Sequence, residues 1–131
     1  MSHFTTLKTK FVAVEPLIKA LDDVRAQFHL GAIRRNAAVS GWRGNTTTAD
    51  LVLSTRHAGY DLGFRKQGET FELVADWYGI TDYTQEKIVG AIAQRYAYHA
   101  VREQLSQQGF ALVEEETTQE QAIHLVLRRT V

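Results

Sequence analysis

The segment QRYAYHAVREQL, residues 94–105, gathers side chains that can move protons and hold anions. His99 has the one side-chain type that ordinarily titrates near neutral pH, which suits a general acid or base. Arg95, His99 and Glu103 follow at four-residue spacing, so on a helix they can form a ladder in which Glu103 orients the imidazole. Asp76 is a second carboxylate that could serve His99. General-base work also needs a nucleophile or a group that fixes substrate, and the sequence names none beside His99. The segment therefore reads first as the edge of a packed helix, and a small enzyme using His99 as acid/base is the alternative.

Other chemistries find less support. His3, His29, His57, His99 and His124 are scattered, without the i, i+4 pairing of a helix-borne metal site, so no metal is expected. The chain has no cysteine, which excludes disulfides, thiolate nucleophiles and cysteine-bound metal. No phosphate-binding glycine loop and no G-x-S-x-G elbow occurs, and no cofactor is expected. Asp50, Asp61 and Asp76 read as strand residues, with Asp61 and Asp76 on one solvated face. From Val24 to Ala49 there is no acidic residue, while Arg25, Arg34, Arg35 and Arg43 add four positive charges, with Trp42 beside Arg43. Arginines and an aromatic in a basic loop, residues 25–43, can hold phosphates and stack a base. The competing reading pairs those arginines with Glu114, Glu115 and Glu116.

Fifteen basic and fifteen acidic residues balance, which argues against nucleic acid as partner, since domains that bind it are generally basic. The chain of 131 residues is expected to form one domain, residues 1–131, large enough to fold on its own core. No apolar run approaches the ~18 residues of a membrane span, and the start carries no signal-peptide pattern, so a soluble protein without membrane insertion is expected.

Several elements must position these residues. Phe4 to Val14 reads as a strand. Pro16 suits a helix start, and Leu17, Leu21, Val24 and Phe28 mark one helical face ending near Gly31. Residues 31–48 show no clear period and read as loop, with a strand near Val39 to Trp42 as the other option. Leu51 to Ser54 adds a strand. GYDLGFRKQGETFELVADWYG reads as a hairpin turning at Gln67-Gly68, with Leu62, Phe64, Phe71, Leu73 and Ala75 on a core face. The other face, with Arg65 diagonal to Glu72, is expected in solvent. A long helix starts at Asp82 or Thr84 and ends at Gly109. On it Ile88, Val89, Ile92, Ala93, Tyr96, Ala97 and Ala100 face the core, while Tyr98 and Val101 point to water. FALVEEE and AIHLVLRR form a last hairpin. The order β-α-β-β-β-α-β-β predicts an α+β two-layer sandwich: a mostly antiparallel sheet of about six strands, with two helices packed on one face.

Four stretches carry a resemblance. They are MSHFTT at 1–6, GYDLGFR at 59–65, ELVADWYG at 72–79 and QRYAYH at 94–99. Together they resemble the cyanobacterial and plastid family called hypothetical chloroplast reading frame thirty-five. The likeness runs over almost the whole chain, with residues 28–40 outside it. It implies a protein of a cyanobacterial cytosol or plastid stroma, and brings no catalytic residue with it.

The leading expectation is a small non-enzymatic accessory or regulatory protein acting through protein contacts, either with an unidentified partner or with a second copy. Aromatic and arginine residues where exposure is expected mark the contact region. These are Arg65, Trp77 and Tyr78 at the hairpin end, and Arg95, Tyr98, His99, Val101 and Arg102 on the long helix. Arg34, Arg35, Trp42 and Arg43 form the nucleic-acid alternative.

Overall fold

In the computed structural model, the backbone is described for residues 3–117 and 123–129 and the side chains for residues 3–109. The element order is β1 (Thr5–Lys8), α1 (Val14–Phe28), β2 (Arg34–Ser40), β3 (Thr46–Ser54), β4 (Asp61–Gln67), β5 (Thr70–Ala75), α2 (Gln85–Gln107), β6 (Phe110–Thr117) and β7 (Ile123–Arg129). An antiparallel five-stranded sheet runs β1-β5-β4-β3-β2, and β6 pairs with β7 in a sheet of their own. The fold is α+β, as expected, but the main sheet has five strands rather than about six. The last hairpin stays separate, and the stretch read as loop supplies β2. The expectation for Glu114 to Glu116 concerns side chains outside the described residues.

The central hairpin shows how alternation fixes faces even where it misses register. Gln67 pairs with Thr70, so the turn residues are Gly68 and Glu69 rather than Gln67 and Gly68. Gly68 takes a φ of 68°, which the first turn position of a II′ hairpin requires and glycine meets without strain. The shift moves every pair by two, so the faces are preserved: Phe64 opposes Leu73, and Leu62 opposes Ala75. Leu51 and Leu53 of β3 continue that face through Phe64 and Leu62.

Both helices lie on it. Leu17, Leu21, Val24 and Phe28 of α1, with Ile88 and Ile92 of α2, share one buried cluster with Leu53, Leu62, Phe64, Phe71 and Leu73. Each such side chain contributes roughly 1.5–3 kcal/mol when fully buried. Thr84 caps α2, its hydroxyl accepting the Lys87 N–H at 3.2 Å, so the helix starts there rather than at Asp82. Tyr96 reaches the rim from α2, where its hydroxyl accepts the N–H groups of Val12 and Ala13, each at 3.0 Å. Ala13 precedes α1 and has no capping side chain of its own, and the tyrosine from the other helix instead ties the backbone just ahead of α1.

The second face of the sheet overturns an expectation. Alternation assigns it to solvent, yet Val39, Ala49, Val52, Val74, Asp61, Glu72 and Asp76 are buried there. The cause is the β2–β3 hairpin. The β3–β4 pairing spans Leu51 to Ser54, whereas β3 continues against β2 back to Thr46. The free half of the hairpin folds across β4 and lays Val39, Ala49 and Val52 together as a second apolar cluster. Gly63 makes room for it: a Cβ there would stand 2.5 Å from Val39 Cγ2 and 3.0 Å from Ala49 Cβ.

Gly63→Ala should therefore overpack this layer and cost about 1–3 kcal/mol, read as a lower urea midpoint. Unchanged stability would mean that the hairpin does not sit on β4. Tyr96→Phe should cost about 0.5–1.5 kcal/mol, since the Val12 and Ala13 N–H groups are exposed and can turn to water, and an unchanged midpoint would contradict the tie.

Candidate functional site

Three acidic side chains, Asp61 of β4, Glu72 of β5 and Asp76 just after it, hold the folded-over hairpin. Asp61 Oδ2 accepts the Ser40 N–H at 2.9 Å and lies 3.5 Å from the Arg34 guanidinium. Asp76, 2% exposed, accepts the Trp42 N–H at 3.0 Å through one oxygen and the Tyr78 N–H at 3.2 Å through the other. Glu72 takes two donors from Arg65, at 3.0 and 2.9 Å, and Arg65 also donates to Thr47 Oγ1 and to the Thr48 carbonyl, both at 3.3 Å. These contacts place the hairpin tip beside the short turn Trp77–Gly79. There the Trp42 and Tyr78 rings meet edge to face at 5.0 Å, and the Arg43 guanidinium lies 5.1 Å from the Trp42 ring. Tyr78 is 62% exposed, and Arg43 is exposed beside it. Nearby, partial burial first, then the charges of Asp76 and Tyr78, push the Tyr60 hydroxyl above its ordinary value. An aromatic pair with an arginine thus projects from a rigid corner.

The second grouping lies between the helices. Asp23 of α1 accepts His99 Nε2 at 2.6 Å and Arg95 Nε at 2.8 Å. The carboxylate that orients His99 is therefore Asp23, across the helix pair, and not Glu103 on the next turn or Asp76. Tyr98 departs furthest from expectation, being 7% exposed rather than pointing into water. Arg95 and Arg102, three residues before it and four after, lay their guanidinia 4.4 and 6.0 Å from its ring. Arg102 also donates to the Tyr98 hydroxyl at 3.2 Å, and the His99 ring meets Tyr98 edge to face at 4.9 Å. Long neighbouring side chains thus contribute to the cover of an aromatic that a helical wheel leaves in solvent. Val101 does remain exposed, at 42%.

The residues singled out in the sequence thus fall into separate places. Tyr78 joins Trp42 and Arg43, which sequence reasoning had assigned to different functions. Trp77 turns inward, its ring 6.4 Å from Tyr83, and Arg65 is a clamp on the hairpin. Arg34 sits on a strand against Asp61, so the run 25–43 is not one flexible basic loop. Arg35 lines a different cleft with Asp50 and Lys66. Among the described residues, no group of three or more His, Asp or Glu side chains could hold a metal ion, and no helix is long and apolar enough to cross a membrane.

Partial burial would raise the Asp23 pKa, but the hydrogen bonds from Arg95 and His99, with the Arg95 and His99 charges, outweigh it and hold the carboxyl below its ordinary 3.8. A lowered folded value means stability that is complete above the unfolded value and lost as pH falls through the folded one. Because the pair is partly exposed, its worth is about 1 kcal/mol. Asp23→Asn should lose about that amount at pH 7 and show a shallower acid limb below about pH 4 than the parent. Identical acid limbs in urea melts at several pH values would refute the helix tie.

No solved structure matches this chain. A family described as protein of unknown function (DUF1257) matches residues 20–126. The chain is 30% identical to uncharacterized protein ycf35 of Cyanophora paradoxa, over 98% of both chains. It is 28% identical to the protein of that name from Guillardia theta and 24% to that from Pyropia yezoensis, again over 98% of each. These relatives carry the name of the chloroplast reading frame that the four sequence stretches resemble. Matched along nearly its full length, the chain belongs to this ycf35 family, whose function is unknown.

Proposed function

We propose that the protein is a non-enzymatic accessory or regulatory protein of a cyanobacterial cytosol or plastid stroma that works by binding another protein. The observation that carries this reading is the exposed Tyr78 ring, packed against the half-buried Trp42, with the exposed Arg43 beside them. Tyrosine, tryptophan and arginine are the types that dominate binding energy at interfaces. A rigid aromatic pair loses little side-chain entropy on docking, so its burial converts more fully into affinity. Backbone N–H groups at both positions 42 and 78 are tied to Asp76, which holds the two rings in register before any partner arrives.

Two features favour a protein over nucleic acid. The chain is neutral overall, and Arg34 and Arg65 spend charge on Asp61 and Glu72. An enzymatic use of His99 is less well supported, since its Nε2 is engaged by Asp23, a carboxylate that Arg95 also holds, which makes the group a tie between the helices.

The test is affinity capture from a cyanobacterial lysate with mass spectrometry, comparing parent, Trp42→Ala/Tyr78→Ala and Arg102→Ala. The double variant should stay within about 1 kcal/mol of parental stability yet lose a specific protein that parent and Arg102→Ala retain. If the folded double variant captures the same proteins as the parent, the corner is not the interface. Capture that disappears with nuclease treatment would overturn the protein reading in favour of nucleic acid.

A further inference from the structure

We infer that the cleft between α1 and α2 is a binding site for the phosphate group of a small polar phosphomonoester. This site is remote in kind from the aromatic corner and does not rest on the function proposed for it. The cleft holds about 420 Å³ and is lined by Lys19 from α1 and by His99, Arg102, Glu103, Ser106 and Gln107 from α2. That volume falls within the range of small-molecule sites and exceeds what a bare inorganic anion fills.

The charge arrangement gives the site its sign. Asp23 is already shared by Arg95 and His99, so its charge is spent at the head of the cleft. Lys19 and Arg102 enter from opposite helices, and among the described residues neither has a carboxylate partner. Glu103 is the single acid on the lining, against these two cations. Ser106 and Gln107 add neutral hydrogen-bonding groups that suit a hydroxylated body attached to the phosphate.

Pre-organisation separates this cleft from a chance gathering of surface charge. Arg102 is hydrogen-bonded to the hydroxyl of the buried Tyr98, which limits where its guanidinium can point. His99 is locked by Asp23, and its side chain is only 14% exposed. A guanidinium so held can meet a phosphate with two parallel N–H donors, and Lys19 supplies a mobile point charge from the facing wall. The negative end of the α2 dipole lies nearby and opposes an anion, so both cations are needed.

The experiment is an NMR titration of the full chain with glucose 6-phosphate, glucose and inorganic phosphate at constant ionic strength. Glucose 6-phosphate should produce saturable shifts at Lys19, His99, Arg102 and Ser106, with glucose silent and inorganic phosphate weaker. Lys19→Ala, which does not touch Tyr98, should weaken binding at least tenfold. Arg102→Lys should weaken it by less than Arg102→Ala. Glu103→Gln should tighten binding several-fold, an effect that a merely structural role for Glu103 would not give. Equal shifts with glucose, or affinity indifferent to Lys19→Ala and Glu103→Gln, would overturn the site.

Discussion

Everything on the second face of the sheet depends on two carboxylates accepting backbone N–H groups. Asp61 on β4 and Asp76 just past the end of β5 take hydrogen bonds from Ser40 and Trp42 in the tip of the β2–β3 hairpin. A hydrogen bond to a charged acceptor contributes roughly 1.5–3 kcal/mol, about twice a neutral one. The dependence runs both ways. Without the tip, two acids would face water at no cost, but the tip's own N–H groups would lose their partners and Val39 would be stripped of its cover. Without the acids, closing the hairpin would bury orphan donors. Apolar contact alone could bring Val39, Ala49 and Val52 together, but it is non-directional. The carboxylates supply the direction, and they set Trp42 against Tyr78.

Much of this was legible in the sequence, and the failures have a common cause. Alternation and helical period report which side of an element a residue is on. They gave the core face of β4 and β5 and the rim role of Tyr96 correctly, and on α2 they placed Ile88, Val89, Ile92 and Ala93 against the core, whereas Ala97, expected inward, is exposed. The hairpin turn was misplaced by one residue, yet every face survived, because a slip of two in pairing preserves the parity of the side chains. Period does not report what later folds against the opposite side. Asp61, Glu72 and Asp76 were assigned to solvent for that reason. The signal that could have corrected this was Gly63: a glycine within a strand often marks close approach of another segment.

The same limit explains the helix pair. Local spacing offered Glu103 as the partner of His99, since residues four apart on a helix are neighbours. Asp23 lies 76 positions away in sequence, and only the packing of α1 against α2 brings it to 2.6 Å. Tyr98 shows the complementary error. Position on the wheel does not by itself decide exposure, and two arginines within a turn lie against this ring. Arginine carries a long apolar stem and a planar head that stacks on aromatic faces, so it buries its neighbour while keeping its own charge wet.

That dual character supplies a criterion for separating structural from functional cations in this fold. Arg34, Arg65 and Arg95 each lie within 3.5 Å of a carboxylate, Asp61, Glu72 and Asp23 respectively. Their charge is consumed inside the molecule, and removing one would leave a buried or half-buried acid uncompensated. Arg43 and Arg102 are instead held by aromatic rings, through the face of Trp42 and the hydroxyl of Tyr98. A ring orients a guanidinium without neutralising it, since a quadrupole attracts the cation but cancels no charge. Positions where the fold fixes a cation and leaves its charge uncompensated are the places able to attract something from outside. Among the described residues Arg43 at the hairpin corner and Arg102 in the interhelical cleft are such positions, and Lys66, over the Phe71 ring and donating to the Val12 carbonyl, is another, so the cations divide by the kind of partner that holds them.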